Sequence, residues 1–243
     1  MSVPILLVHG IRTSASMWRH QVEALHRDGC RVLAIDLPGH GSRIEEPFTV
    51  EAALAAIDAG VTELAGEQGR VLLVGLSLGG YYSIAYAAAH PERLLGLVAA
   101  ACSTVPAGPG LAGYRLLARL IHRLPDRGLW LNNLMVRRML PAAGAADVLA
   151  GGVALEVMDP GLRATGTLHP LDDLARYPGP VWLVNGRFDH FRLNERRFLA
   201  ACRDGHLVVI PGASHLVSLA QPKRFTAVLR EVMAEVAGSD RRQ

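Results

Sequence analysis

The sequence predicts one α/β domain, built on a mostly parallel sheet with helices on both faces. Short, nearly continuous apolar runs alternate along the chain with longer segments of helical periodicity. The length of 243 residues suits one large domain, or one domain that carries an insertion. Hydrophobic residues make up 50% of the chain and charged residues 19%, and this composition excludes a disordered chain or a coiled coil.

Six apolar runs are the candidate strands, and each has the composition of a strand buried on both faces. In chain order they are Val3–Val8, Arg31–Ile35, Val71–Gly75, Leu94–Ala100, Val181–Asn185 and Leu207–Ile210. Five segments between and after them have helical periodicity: Ala15–Arg27, Val50–Ala65, Leu78–Ala89, Leu193–Cys202 and Lys223–Val236. Ser14 and Thr49 are suitable N-caps for the first two helices. This strand–helix alternation requires right-handed crossovers and therefore a parallel sheet.

One interval, residues 103–175, contains no convincing strand and is too long for a structureless loop. Its apolar residues recur at helical spacing, most clearly at Leu116, Leu117, Leu120, Ile121 and Leu124. We interpret it as a helical cap inserted into a core of residues 1–102 and 176–243. We expect this cap to cover the binding pocket and to line it with residues such as Leu117, Ile121 and Met135.

The formal net charge is only +3, and 24 of the 25 basic residues are arginine, the exception being Lys223. This distribution does not predict nucleic-acid binding, which usually concentrates basic residues on one face. One cluster lies in the insertion, where Asp126 is the only acidic residue among six arginines: Arg115, Arg119, Arg123, Arg127, Arg137 and Arg138. Two interpretations remain open for it, a solvated helix face or a docking site for an anionic substrate or an acidic carrier protein.

The three cysteines, Cys30, Cys102 and Cys202, do not have the spacing of metal ligands or of a redox pair. We therefore expect reduced thiols, no metal and no cofactor. The longest apolar stretch, Leu94–Cys102, is far shorter than the roughly 20 residues that span a bilayer. With no signal peptide visible, the sequence predicts a cytoplasmic protein without a membrane span, of undetermined oligomeric state.

The strongest chemical signal is the G-x-S-x-G pattern centred on Ser77, which follows a candidate strand and opens a candidate helix. A sharp strand-to-helix turn projects the serine hydroxyl above the sheet, at a helix N-terminus that favours an anion. Gly75 and Gly79 keep flanking side chains from colliding in that turn. The pattern therefore predicts that Ser77 is a nucleophile.

A serine hydroxyl needs a base, and the base needs a group that orients it. His215 follows the last candidate strand, and Asp189 follows the strand before it. The carboxyl ends of parallel strands meet at one edge, the same edge that carries Ser77. We therefore predict Ser77, Asp189 and His215 as the catalytic residues, in the chain order Ser, Asp, His.

The developing oxyanion also needs hydrogen-bond donors. The backbone N–H of Leu78, directly after the nucleophile, is one candidate, and that of Ile11, after the first strand, is the other. Gly10 allows this loop to approach the site closely. We interpret His9 as a residue that braces the loop and not as a second base.

Taken together, these motifs resemble the α/β-hydrolase fold superfamily in its compact, capped form. The resemblance rests on His9-Gly10, the loop Asp36–Ser42, the segment Gly75–Gly80, and the pair Asp189 and His215. It covers roughly residues 3–102 and 176–237, whereas the cap is not recognisable. The family usually has two additional N-terminal strands for which this chain begins too late. The resemblance therefore implies six strands in the order 2-1-3-4-5-6.

The resemblance implies a serine hydrolase that cleaves a small or medium carboxylic ester, thioester or lactone through an acyl-enzyme on Ser77. Aspartate-nucleophile dehalogenases and epoxide hydrolases of this fold are disfavoured because position 77 is serine. Acyl transfer, C–C bond hydrolysis and perhydrolysis on the same three residues remain alternatives. So does a non-catalytic ligand-binding protein of this fold.

Overall fold

The structure, a computed structural model, describes residues 3–240 and contains one parallel sheet of six strands. The strands are β1 (Ile5–Val8), β2 (Val32–Ile35), β3 (Val71–Leu76), β4 (Leu94–Ala100), β5 (Pro180–Gly186) and β6 (Asp204–Ile210). Their order in the sheet is β2-β1-β3-β4-β5-β6, as predicted. Every neighbouring pair is parallel, so all six carboxyl ends lie at one edge.

Eleven α-helices fall within the described residues. Those that accompany the sheet are α1 (Arg19–Arg27), α2 (Val50–Ala65), α3 (Leu78–Ala89), α8 (Pro170–Arg176), α9 (Glu195–Ala201), α10 (Val217–Ala220) and α11 (Pro222–Asp240). Four more lie between β4 and α8: α4 (Gly108–His122), α5 (Leu129–Met139), α6 (Ala142–Ala150) and α7 (Met158–Thr165). We call α4–α7 the insertion helices.

Alternation along the strands builds two hydrophobic layers, one on each face of the sheet. In β1, Leu6 and Val8 pack against the layer that contains α2, α3, α8 and α9. Ile5 and Leu7 face the opposite layer, which contains α1 and α11. All four side chains are fully buried. The central strands therefore form a rigid platform, and the loops at their carboxyl ends project from it.

Two expectations about the strands need correction. The edge strands β2 and β6 are mostly half-buried, because each lacks a neighbouring strand on one side. Strand β6 also begins at Asp204 and not at Leu207, since its early residues pair in register with β5 from Pro180 onward. The added residues, Asp204, Gly205 and His206, do not form an apolar run. Only their pairing with β5 shows that they belong to the sheet.

The predicted pocket lining by the leucine stripe is wrong. Leu116, Leu117, Leu120 and Leu124 are 43–57% exposed, and Met135 on α5 is 46% exposed. The cavity beside Ser77 is instead contacted by the first two turns of α4, through Leu111 and Tyr114, and neither Ile121 nor these exposed leucines line it. Helical periodicity identifies an apolar stripe but not which turns of the helix reach the site.

Several arginines of the insertion pair with carboxylates that lie further along the chain. Arg115 and Arg119 on α4 approach Asp159 of α7 at 3.1 Å, and Arg163 approaches it at 2.9 Å. Arg127 pairs with Glu156 in the same way. The pairs of Arg115 and Arg119 with Asp159 join α4 to α7, so part of the arginine cluster has an internal structural role.

Candidate active site

Ser77 occupies the single residue between strand β3 and helix α3. Its backbone has φ 55° and ψ −115°, a region that non-glycine residues rarely adopt. Gly75 and Gly79, which lie two residues before and after Ser77, permit this turn. A Cβ at Gly75 would lie 2.3 Å from the carbonyl oxygen of Gly79, and one at Gly79 would lie 2.5 Å from that of His9. The strained turn presents the hydroxyl at the carboxyl edge of the sheet.

The loops after β5 and β6 bring the two other predicted residues to Ser77. The Ser77 hydroxyl lies 2.9 Å from His215 Nε2, with the geometry of a hydrogen bond. His215 Nδ1 lies 3.1 Å from Asp189 Oδ1, and the same oxygen accepts the Phe191 backbone N–H at 2.8 Å. With Nδ1 protonated, Nε2 is free to accept the serine proton. The structure therefore brings Ser77, His215 and Asp189 into one hydrogen-bonded chain.

The Asp189 side chain is fully buried, yet its surroundings keep it charged. Burial pushes the pKa of Asp189 upward, but the hydrogen bond and the charge of His215 outweigh burial, with help from the Phe191 N–H. The net effect is a pKa below the ordinary aspartate value. An ionised carboxylate at this position holds the imidazole in one orientation and favours its protonated form.

Two aromatic residues that the sequence analysis did not single out cover the imidazole. The rings of Phe191 and His190 lie 4.7 Å and 5.3 Å from that of His215, measured between centroids. Burial, and then the charge of His215, lowers the pKa of His190, so this ring is neutral near pH 7. The sequence did contain one signal for these two residues, because both directly follow Asp189 in the loop after β5.

The two predicted oxyanion donors border the same cavity as Ser77. Within residues 3–240, the backbone N–H groups of Leu78 and Ile11 donate to no protein acceptor. The loop that carries Ile11 passes close to the nucleophile, since a Cβ at Gly10 would lie 3.4 Å from the Ser77 Cβ. Two free donors beside a serine hydroxyl suit an oxygen that gains negative charge.

His9 is fully buried and joins two loops. Its Nδ1 lies 2.8 Å from the Gly10 carbonyl oxygen, and its Nε2 accepts the Leu37 backbone N–H at 3.0 Å. Burial, followed by the charge of His40, lowers the pKa of His9 to about 3. The ring is therefore neutral, and its contacts agree with the interpretation that it braces the loop after β1.

A cavity of about 670 Å³ borders Ser77. Its lining includes side chains from all four insertion helices, such as Leu111, Asn132, Val148 and Leu162. This volume is within the usual range for small-molecule sites. In the part of the chain that is described, no cluster of three or more His, Cys, Asp or Glu residues could hold a metal ion. Nor does any helix there have the length and apolarity to cross a membrane.

The chain belongs to the Alpha/beta hydrolase family, and its fold is the fold of that family. The profile of that family matches residues 5–228, which is nearly the whole chain. The protein is therefore a hydrolase of this fold, as the motifs had predicted.

The proteins similar to this chain include esterases and a lactonase. The chain is 31% identical to pimeloyl-[acyl-carrier protein] methyl ester esterase of Edwardsiella ictaluri, over 93% of this chain and 92% of that protein. A malate-bound thermophilic esterase from Thermogutta terrifontis has a TM-score of 0.78 at 28% identity, covering 97% of this chain and 91% of its own. The enol-lactonase of Burkholderia xenovorans LB400 has a TM-score of 0.74 at 20% identity, covering 96% and 92%, and this likeness concerns the fold alone.

Proposed function

We propose that the protein is a serine hydrolase that cleaves a small or medium carboxylic ester, thioester or lactone through an acyl-enzyme on Ser77. The observation that carries this proposal is the hydrogen-bonded chain from Ser77 through His215 to Asp189, with contacts of 2.9 and 3.1 Å. The related esterases support the same reaction class.

In the first half-reaction, His215 Nε2 takes the hydroxyl proton as Ser77 Oγ attacks the carbonyl carbon. The N–H groups of Leu78 and Ile11 hold the resulting oxyanion, a contribution of about 2.7–4 kcal/mol per donor. The carbon–oxygen or carbon–sulfur bond then breaks, and the leaving alcohol or thiol takes the proton from His215. Asp189 orients the ring and stabilises its charged form throughout.

In the second half-reaction, His215 takes a proton from water, which attacks the acyl-enzyme. The same two N–H groups hold the second tetrahedral intermediate. Its collapse releases the carboxylic acid and returns the proton to Ser77. Because His215 acts first as base and then as acid in both halves, no metal or cofactor is needed.

We also propose that residues 103–175 act as the cap, with the chemistry at the sheet edge and substrate choice in the insertion helices. A cytoplasmic location is part of the same proposal. An acidic carrier protein could dock on the arginine cluster through Arg123, Arg137 and Arg138. Among the described residues these three form no ion pair, unlike Arg115, Arg119 and Arg127.

A fluorophosphonate probe, followed by turnover assays, tests the nucleophile and the reaction. The probe should label Ser77 in the wild type and leave Ser77→Ala unlabelled, and Ser77→Ala should lose turnover of short p-nitrophenyl esters. Labelling that persists in Ser77→Ala would exclude the assignment. Esters, thioesters and lactones of graded length should then be hydrolysed to free acids. Products that form only with an added alcohol or peroxide would indicate acyl transfer or perhydrolysis instead.

A further inference from the structure

One charged side chain of the active-site cavity has no role in the proposed reaction. Arg12 follows Ile11 on the oxyanion loop and lines the cavity together with Ser77. Its Nε is buried and finds no hydrogen-bond acceptor, and Arg12 forms no ion pair within residues 3–240. Among the residues that line the cavity there is no other arginine, no lysine and no carboxylate.

The backbone holds Arg12 in place at a conformational cost. Its φ is 65°, in the left-handed region that a non-glycine residue adopts at a cost of order 1–3 kcal/mol. The turn is closed by Thr13, whose hydroxyl donates to the Gly10 carbonyl oxygen at 2.7 Å. The same oxygen lies 2.8 Å from Nδ1 of the buried His9. The loop that positions the Ile11 N–H therefore also fixes the place of Arg12.

Arg12 is half-buried, with its Nε enclosed, and no protein anion among the described residues lies beside it. Burial lowers the pKa of Arg12, yet a guanidinium remains protonated at neutral pH. A partly desolvated charge is normally matched by an anion. With no protein carboxylate in the cavity, a bound ligand is the source of negative charge that the site can still receive.

A second donor lies on the facing insertion helix. Tyr114 of α4 lines the same cavity as Arg12, and the positive charge of Arg12 acts on its hydroxyl. Burial raises the pKa of Tyr114, so its hydroxyl stays protonated and can donate. The ring also packs edge-on against Phe191 at 5.8 Å, and Phe191 in turn covers His215. Arg12 and Tyr114 thus form a polar wall within an otherwise mainly apolar cavity.

We infer that Arg12, assisted by Tyr114, binds a carboxylate of the substrate, so that the preferred substrate is an ester that carries a second, free carboxylate. This inference rests on the proposed function and narrows its substrate class. One guanidinium matches the single charge of a carboxylate, and the planar fork of arginine suits its two oxygens. A half-ester of a dicarboxylic acid has this chemistry, with the ester at Ser77 and the free carboxylate at Arg12.

Monomethyl and dimethyl esters of the same dicarboxylic acids, from four to eight carbons, test the inference directly. The dimethyl ester is the neutral counterpart of the half-ester. At the best chain length, kcat/KM of the wild type should favour the half-ester by about ten- to hundredfold, as expected for a charge-assisted contact. In Arg12→Gln this ratio should fall to about one, and in Tyr114→Phe it should fall severalfold. Arg27→Gln, an exposed arginine of α1 outside the cavity, is the matched control and should keep the wild-type ratio.

Binding without turnover separates this inference from the proposed function. Glutarate and adipate should bind the Ser77→Ala variant in calorimetry and raise its melting temperature, and Ser77→Ala/Arg12→Gln should lose both effects. If neutral esters are hydrolysed but Arg12→Gln changes neither the ratio nor dicarboxylate binding, the inference is overturned and the hydrolase stands. If dicarboxylates bind through Arg12 but no ester is cleaved, the hydrolase proposal fails and carboxylate binding stands. Should Arg12→Gln not fold, Arg12→Lys and Tyr114→Phe decide the matter by the same ratio.

Discussion

The carboxyl edge of the sheet and the insertion helices meet at one cavity but are built in opposite ways. Strands β1 and β3 are fully buried, and their ends carry the loops of the Ser77 site. By contrast, α4 and α5 contain no buried residue, and large apolar side chains such as Leu117 and Trp130 face solvent there. Densely packed strands therefore position the reactive atoms, whereas lightly packed helices form the opposite wall of the same cavity.

The contacts of the two regions explain this difference. Each central strand has a hydrogen-bonded neighbour on both sides and a hydrophobic layer on both faces. Helices α4 and α5 instead pack mainly on one other helix each, α7 and α6 respectively, and α4 is joined to α7 through surface ion pairs with Asp159. Surface ion pairs contribute little to stability. Changes at the sheet edge should therefore have larger effects than similar changes in the insertion.

The largest effect is expected at the buried carboxylate. Asp189→Asn preserves shape but removes the charge that orients His215, so kcat should fall by roughly 10⁴-fold on every substrate alike. Steady-state kinetics on a short and a long ester, with circular dichroism as the control for folding, measure this. A loss confined to one substrate would show that Asp189 acts in specificity and not in the chemistry.

The next effect compares side chains from the two regions. Phe225 of α11 is fully buried and packs against Trp18 at 5.8 Å, so Phe225→Ala should lower the free energy of unfolding by about 3–5 kcal/mol. Leu120 of α4 is half exposed, and Leu120→Ala should change the free energy of unfolding by less than about 0.5 kcal/mol. Urea denaturation gives both values. A cost above about 2 kcal/mol for Leu120→Ala would mean that another molecule covers α4 in solution.

Glycine replacements should differ in sign between the regions. A Cβ at Gly79 would lie 2.5 Å from the backbone oxygens of Val8 and His9 at the end of β1, so Gly79→Ala should destabilise by about 1–3 kcal/mol and impair turnover. Gly113 in α4 has open space around it, and Gly113→Ala should stabilise by up to about 1 kcal/mol through helix propensity. Thermal unfolding compares the two. Equal shifts in the two variants would contradict the close approach at Gly79.

Acid should lower the free energy of unfolding through His9, which lies at the carboxyl edge of the sheet. Its pKa is about 3 in the folded state, against about 6.5 when unfolded. Between these values the unfolded chain binds a proton that the folded chain does not, so stability falls as the pH falls. The slope from this residue is about 1.4 kcal/mol per pH unit. Denaturation from pH 4.5 to 7 should show that His9→Gln loses this part of the slope, while above pH 7.5 the slopes should coincide. Parallel curves throughout would show that His9 is not buried and neutral.

The smallest effect concerns substrate length. Val136 of α5 lines the cavity, whereas its neighbour Met135 is 46% exposed. Val136→Leu should move the preferred acyl chain to shorter esters by about one carbon, roughly a three- to fourfold change in relative kcat/KM. Met135→Ala is the matched control and should leave the profile of p-nitrophenyl esters unchanged. If the substrate profile shifted in Met135→Ala but not in Val136→Leu, Met135 and not Val136 would face the cavity, contrary to the structure.

Much of the core followed from the sequence because its signals are local. Buried strands are continuous apolar runs, and the turn at Ser77 needs small residues two positions before and after it, so each signal can be recognised in the local sequence. The strand order followed from the family resemblance. The sequence predicted that Asp189 and His215 lie near Ser77 because each follows a strand, and parallel strands end at one edge. The extent of β6 was missed, since the partner strand and not the composition determines it.

By itself, then, the sequence determined the sheet, the turn at Ser77 and the residues placed at its edge. Only the tertiary structure decided which turns of α4 border the cavity, that Asp159 pairs with the arginines of α4, and that Arg12 has no such partner among the described residues. The physical reason is the separation along the chain of the residues that interact. A strand or a turn is specified by neighbours in the chain, whereas the direction of a helix face and the pairing of a charge depend on elements tens of residues away.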